Sequence, residues 1–265
     1  MFDLVLATVD RLAELTRFLD SLERQTYREF RLLLVDQNGD DRLESLLREH
    51  GSIEVVHLRS PRGLSRARNA ALRELRADIV AFPDDDCVYP DDLLERVTRR
   101  LSSSLDGVTG RSSAAASWAP EAAALTRANL WNRAISYTIF LRREIVERVG
   151  GFDERLGLPS SSGEEIDYLV RALDAGARID YDPSLVVEHA EEPRDPRRVA
   201  ARDGRSIGYI LRKHRYPPSA VARMLIRPAG GALLAALRND RARARFHAST
   251  LRGRALGYRR AATIP

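Results

Sequence analysis

Residues Leu4 to Val9 form a short, mostly apolar run, and Leu12, Leu15, Phe18, Leu19 and Leu22 then recur at the spacing of one helical face. A buried strand feeding an amphipathic helix is the expected reading. The pattern repeats: Phe30 to Val35 predicts a second strand, with a helical stretch from about Arg42 to Glu49 behind it, and Ile53 to Leu58 a third. Leu64, Ala67, Ala71, Leu72 and Leu75 predict a further helix, which leads into the apolar run Ile79 to Phe82. Strand-then-helix order repeated in this way implies an α/β domain with a mostly parallel sheet covered by helices on both faces. Such sheets take their ligands beyond the carboxyl ends of the strands, where strand order reverses.

Acidic residues fall at those ends. Asp10 follows LVLATV, Asp36 follows FRLLLV, and Asp84, Asp85 and Asp86 follow DIVAFP. Aspartate is also a good turn and capping residue, and Asp10 or Asp36 alone fits that role. Three adjacent carboxylates are different, because they repel one another and gain little from capping. A nearby cation explains them economically, and an oxygen-rich ligand set favours Mg²⁺ or Mn²⁺.

The chain of 265 residues, 44% of them apolar, supports one sizeable domain with an appendage. Its one cysteine, Cys87, excludes an intrachain disulfide framework and points to a reducing, cytoplasmic setting. The N-terminus lacks a signal-peptide pattern, and no stretch anywhere approaches the roughly 20 apolar residues of a membrane span, so neither secretion nor a membrane-spanning topology is expected. The net charge of +5 conceals a division, for residues 195–265 hold 17 Lys and Arg against 3 acids while residues 1–194 hold 26 against 35. Only Lys213 is a lysine, so the positive charge is almost all guanidinium, which suits phosphate contacts or reflects coding bias. These shifts divide the chain into a domain over 1–194 and a basic helical region over 195–265.

In order, LATVDR, LLLVDQNGDD, RGLSRARNAAL, FPDDDC, VGGFDERLG and GEEIDYLVRALDAG resemble the motifs of a family-2 glycosyltransferase with the GT-A nucleotide-sugar-binding fold. The resemblance spans roughly residues 3 to 192. It implies transfer of a sugar from a nucleoside diphosphate, a UDP-sugar being favoured, to a hydroxyl of a glycan or lipid-linked acceptor, with inversion and with Mn²⁺ or Mg²⁺. By the family pattern Asp86 is a metal ligand, and Asp84 or Asp85 meets ribose or metal-bound water. Asp36 contacts base or ribose, and Thr8, Val9, Asp10 and Arg11 form the turn beneath the nucleotide. Arg66, Arg68 and Asn69 lie early on a helix that approaches the nucleotide. Arg66 and Arg68 are two apart and cannot share a helical face, so at most one reaches the phosphates.

In GEEIDYLVRALDAG, Ile166, Leu169, Val170 and Leu173 form a buried helical stripe and Gly176 a C-cap, which places Glu164, Glu165 and Asp167 in the first turn. Acids there are favoured by the helix dipole even without catalytic purpose. The family writes this motif Glu-Asp, with the general base on the second acid. Here that position is Glu165, and Asp167 is a competitor for the role or a residue that orients the acceptor or holds the loop. His189 follows the apolar run Leu185 to Val187, where relatives place a metal-binding histidine. Trp118 and Trp131 lie in the variable middle segment, with Trp131 in a helix-like stretch suited to core packing, and Cys87 reads as a small apolar core residue. Two Ser-rich stretches, LSSSLDGVTGRSSAAASWAP and LGLPSSSG, read as mobile lid or acceptor loops, or as plain surface connections.

Beyond Pro193, helices are expected over about 198–216 and 218–238, with MLIRPAGGALLAAL an apolar stripe too short to cross a bilayer. The basic appendage suits an anionic membrane surface, placing the enzyme peripherally on the inner face, or else covers the sheet or forms a homodimer. Nucleic acid is not expected, since the arginines form no reading motif. Two other functions share these features. A sugar-phosphate nucleotidyltransferase needs a Gly-rich phosphate loop, and VDRLAELTR contains no glycine; a non-catalytic nucleotide- or glycan-binding module would leave the base position empty, and GEEID is acidic.

Overall fold

The computed structural model describes residues 1–101, 104–113, 118–157, 162–189 and 195–260. They form two compact units, one of Met1–Glu154 with Tyr168–Glu191 and the other of Arg155–Asp167 with Glu192–Pro265.

The first unit opens with β1 (Phe2–Thr8), α1 (Leu12–Glu23), β2 (Phe30–Asp36), α2 (Glu44–Glu49), β3 (Val55–Arg59), α3 (Leu64–Ala71) and β4 (Ile79–Ala81). Every residue of β1 and β2 is buried, as a central parallel strand covered on both faces requires, so their sequences read as continuous apolar runs without alternation. Leu15, Phe18, Leu19 and Leu22 are the buried stripe of α1. The unit continues with β5 (Cys87–Val88), α4 (Leu93–Arg100), β6 (Gly107–Ser112), β7 (Ala123–Ala124), β8 (Ile139–Arg142) and α5 (Arg143–Val149). Helix α6 (Glu164–Asp174), of which Glu164–Asp167 are counted with the second unit, and β9 (Ile179–His189) follow, with Gly176 at φ +86° ending α6 as its sequence implies.

The sheet is mixed, in the order β3-β2-β1-β4-β8-β6-β9-β5, with β7 also on β9. Its first four strands are parallel, but β8 runs antiparallel to both β4 and β6, and β5 and β7 run antiparallel to β9. The parallel half matches the expected pattern; the antiparallel half does not. In particular, GVTGRS, expected within a mobile loop, is the core strand β6, with Val108 and Thr109 fully buried. The rest of that expectation falls partly on residues 102–103, 114–117 and 158–161, which lie outside the described residues. Trp131 sits in a single 3₁₀ turn, Leu130–Asn132, and is half-buried.

Phe2, Phe18, Tyr89 and Phe140 tie the core together through edge-to-face and tilted ring contacts. At the amino end of β1, Asp3 is wholly buried but saturated. It accepts from Arg31 Nε (2.9 Å) and Nη2 (2.6 Å) and from the backbone N–H groups of Arg76 (2.6 Å) and Ala77 (2.8 Å). This is a structural carboxylate, with no acceptor capacity left for a ligand.

The second unit contains α7 (Pro196–Lys213), α8 (Pro218–Leu237) and α9 (Arg241–Arg260). Asp195 caps α7 by accepting from Arg197 N at 2.9 Å. Helices α7 and α9 meet along glycines four apart on each, Gly204 and Gly208 against Gly253 and Gly257. A Cβ built on Gly204 would lie 2.7 Å from the Thr250 carbonyl oxygen, and one on Gly253 2.7 Å from that of Ala201. At Gly208 and Gly257 it would overlap the carbonyl oxygens of Arg254 and Arg205 outright. Helix α9 lies in the region expected to be basic and helical, but its bounds were not legible, because RARARFHASTLRGRALGYRR carries no continuous apolar stripe; backbone contact across glycine takes the place of one.

Helix α8 corrects another expectation. By length and composition it is long and apolar enough to cross a membrane, with a mean hydropathy of 1.4 over an 18-residue window of which 11% is buried. Arg223, Arg227 and Pro228 interrupt any consecutive apolar run, whereas the alanines and leucines around them keep the average high. Ile226, Leu233, Leu234 and Leu237 on it are exposed.

Candidate active site

In the parallel half of the sheet β2 and β4 flank β1, so strand order reverses there, and the carboxyl end of β1 is where a ligand crevice is expected. Ala7 of β1 bridges to Asp84, which draws the acidic run beyond β4 to this point. From β1 comes Thr8, whose Oγ1 donates to Asp85 Oδ2 at 2.7 Å. Val9, half-buried, and Asp10 turn the chain, Asp10 in the left-handed region at φ 57°, which aspartate tolerates better than most residues. Arg11 then reaches back, with Nη1 3.2 Å from Asp85 Oδ1 and in close contact with Asp86.

Asp84 accepts from Arg68 Nη2 at 2.9 Å and from Ser136 Oγ at 3.0 Å. Arg68 is completely buried in α3, with its guanidinium over the rings of Phe152 and Phe82. Asp86 faces His189 Nε2 at 3.0 Å, and the His189 ring stacks on Tyr137 at 4.8 Å. The antiparallel β5–β9 pair, with Cys87 opposite His189, puts these two side chains together. Metal-binding atoms of Asp84, Asp86 and His189 all lie within 4.8 Å of one another. Ligands around one Mg²⁺ or Mn²⁺ stand up to about 4 Å apart, so a small inward movement would close such a shell, and two carboxylates with one imidazole suit Mn²⁺ or Mg²⁺.

The three acids are not equivalent. Burial pushes Asp84 up, against the opposing pull of Arg68. It pushes Asp85 up to about 6, opposed by Thr8 and Arg11 and reinforced by the other two carboxylates. Burial acts on Asp86 in the same sense, but the His189 hydrogen bond and charge together with Arg11 outweigh it and hold the group below its ordinary value. One carboxylate is thus readily anionic and two are reluctant, a crowding that added positive charge relieves.

Asp36, at the end of β2, is fully buried, which differs from a direct contact to base or ribose. Its Oδ1 accepts from Asn38 N and Nδ2, both at 2.8 Å, and its Oδ2 lies 3.2 Å from His57 Nε2. Asn38 Oδ1 in turn accepts from Asp10 N at 2.8 Å, so Asp36 shapes the turn beside the crevice through Asn38. The Asp10 side chain is half exposed and pairs with Arg42 (2.9 Å) and Arg62 (2.6 Å).

Two residues expected near the nucleotide make contacts within the protein. Exposed Arg66 pairs with Glu154 at 3.2 Å. Asn69 clamps the GGFDE loop, its Nδ2 donating to the Phe152 carbonyl (3.0 Å) and its Oδ1 accepting from Phe152 N (2.6 Å). Of the two arginines it is Arg68 that reaches the acids. The signal was present, since position 68 lies on the stripe of Leu64, Ala67 and Ala71; a buried arginine on an apolar face needs a partner. Ser136, His57, Asn38 and Tyr137 had no comparable signal.

The first turn of α6 holds Glu164, nearly buried, Glu165, half-buried, and Asp167, fully buried. Asp167 Oδ1 is 2.6 Å from Lys213 Nζ and 2.8 Å from His214 Nε2, at the end of α7. Its carboxylate is therefore engaged as an anchor for α7.

The sequence matches Glycosyl transferase family 2 over residues 3–147, more than half of the chain. The chain belongs to this family. It is 30% identical over 230 residues to a pre-mycofactocin glycosyltransferase of Mycobacterium tuberculosis, covering 78% of this chain and 47% of the relative, and so spans about half the length of that curated relative. It is 25% identical over 192 residues to the glycosyltransferase AglE of Haloferax volcanii, covering 66% of this chain and 62% of that one. Among solved structures, the mannosyltransferase PcManGT from Pyrobaculum calidifontis, in complex with GDP-Man and Mn²⁺, superposes with a TM-score of 0.72 at 18% identity, covering 97% of this chain and 86% of that one. S. aureus TarS 1-349 in complex with UDP gives a TM-score of 0.61 at 18% identity, covering 95% and 90%. These likenesses establish the GT-A fold.

Proposed function

We propose that the chain transfers a glycosyl unit from a nucleoside diphosphate sugar, a UDP-sugar in the first instance, to a hydroxyl of a glycan or lipid-linked acceptor, with inversion and with Mn²⁺ or Mg²⁺. The observation that carries this reading is the convergence of Asp84, Asp86 and His189 at the carboxyl end of β1. The solved neighbours in complex with GDP-Man and Mn²⁺ and with UDP support the donor class.

In this reading Asp84, Asp86 and His189 hold the cation, which when bound supplies Lewis-acid stabilisation of charge on the leaving diphosphate. Arg11 stands beside the same acids, placed to meet the diphosphate. The Thr8–Arg11 turn and the Asp36–Asn38 pair shape the nucleoside side of the crevice. Transfer breaks the bond from the anomeric carbon to the diphosphate oxygen, forms one to the acceptor oxygen, and leaves the acceptor proton to a base. Glu165 takes that role, standing at the second acid of the family motif, while Asp167 pairs with Lys213 and His214. The exposed apolar residues of α8, among the arginines of the C-terminal region, support a peripheral position on an anionic membrane at the cytoplasmic face.

Titration calorimetry of UDP, GDP and dTDP with and without Mn²⁺ tests the reading. Metal-dependent binding of one nucleotide is expected, lost in Asp86→Asn. Glu165→Gln should keep that binding and lose roughly 10²–10⁴-fold in turnover. Absence of nucleotide binding in the presence of metal would overturn the assignment, and near-native turnover of Glu165→Gln would move the base.

A further inference from the structure

A cavity of about 430 Å³ lies among α7, α8 and α9, lined wholly by residues of the second unit. Its volume falls within the roughly 300–1,000 Å³ of small-molecule sites. Ile207, Met224, Pro228 and Phe246 contribute apolar walls, while Arg227 and Arg254 bring two guanidinium groups to the same space. Genuinely empty cavities are apolar, whereas a lining with polar groups is occupied by water or a ligand. Arg227 is exposed and its charge is solvated, so the cost of burial falls on Arg254.

Arg254 shows that cost directly. One of its Nη groups donates to the Met224 carbonyl, but its Nε is buried with no hydrogen-bond partner among the described residues. Burial pulls the guanidinium below its ordinary value, and the charge of Arg227 pulls it further. The one carboxylate of the lining does not compensate, because Asp203 is already held by Arg202 Nε at 2.9 Å and by Ser162 Oγ at 2.7 Å. An anion beside Arg227 and Arg254 would offset the like charge that the pair brings to the lining. The apolar walls would then surround whatever is attached to that anion.

We infer that this cavity binds a single-chain amphiphile with a phosphate headgroup, its phosphate between Arg227 and Arg254 and its hydrocarbon against Ile207, Met224, Pro228 and Phe246. Identification of this ligand with a lipid-linked acceptor rests on the transferase reading above; the binding preference itself does not.

Calorimetry on the full chain with monomeric n-butyl, n-hexyl and n-octyl phosphate tests the proposal, with inorganic phosphate and n-octanol as the two halves of the ligand. Affinity should rise roughly tenfold for every two methylenes until the cavity is filled. Both half-ligands should bind far more weakly than octyl phosphate. Arg227 is exposed, so Arg227→Gln keeps the fold, and it should weaken octyl phosphate on the order of tenfold while leaving octanol unchanged. Ile207→Trp, which fills the cavity, should abolish binding; if it fails to fold, Arg227→Gln and the chain-length series still decide. Inorganic phosphate binding as tightly as octyl phosphate would overturn the proposal in favour of a plain anion site. Equal binding of octanol and octyl phosphate, or indifference to Arg227→Gln, would overturn it in favour of an unselective apolar void. Loss of alkyl phosphate binding with intact Mn²⁺-dependent nucleotide binding removes this inference alone, and the converse removes the transferase reading alone.

Discussion

The two units are held together by opposite means. In the first, large side chains such as Phe2, Phe18, Tyr89 and Phe140 are fully buried and interlock around the sheet. In the second, α7 and α9 meet backbone to backbone across Gly204, Gly208, Gly253 and Gly257, and much of the apolar surface of α8 stays exposed. The first is vulnerable to losing atoms and the second to gaining them. A side chain removed from an interlocked core leaves a cavity, whereas a methyl group added where two backbones touch forces the helices apart.

Both tryptophans, Trp118 and Trp131, belong to the first unit, so fluorescence follows that unit, and circular dichroism at helical wavelengths follows both. The largest effect is expected from Phe140→Ala, which should destabilise the first unit by about 3–5 kcal/mol in the fluorescence-monitored urea transition. A fluorescence midpoint that stays put would contradict the interlocked core. Gly257→Ala comes next, with a loss of about 1–3 kcal/mol expected in the helical signal and none in the fluorescence midpoint. Movement of both signals together would show that the units unfold as one. The smallest change is a gain. Gly230, inside α8, has nothing within 4 Å of an added Cβ, so Gly230→Ala should raise the helical midpoint by about 0.4–1 kcal/mol. The opposite sign at two glycines of one helical unit would sharpen the distinction between a seam and an open face.

The same contrast explains what the sequence disclosed. Strands β1, β2 and β4 and helix α1 were legible because buried parallel strands and amphipathic helices carry strong periodic signals. Strands β6 and β9 were weaker, one interrupted by Gly110 and the other by Pro183, and their sheet partners are distant in sequence. Helix α9 was invisible to an apolar-period reading, since its packing rests on the absence of side chains. At the site, the acidic run stood out because charged groups at strand ends are conspicuous, whereas His189 was singled out only by the resemblance to family-2 glycosyltransferases. The burial of Arg68 and Asp36 was not legible, because polar residues are expected to face a ligand and both are buried against their own chain. The contacts of Asn69 to Phe152 were not legible either, because a side-chain amide that clamps a loop cannot be told from one that meets a ligand until the loop is seen.

Cys87 is the only thiol in the chain and Lys213 the only side-chain amine. The thiol is sealed beneath the acidic rim and burial pushes it toward the unreactive protonated form, so alkylation must wait until the first region opens. The amine is joined to Asp167 and retains about a quarter of its surface, 24%, so acylation there would report release of that anchor. The wild-type protein thus carries one chemical reporter in each half, and two commonplace reagents can footprint them separately without an engineered label.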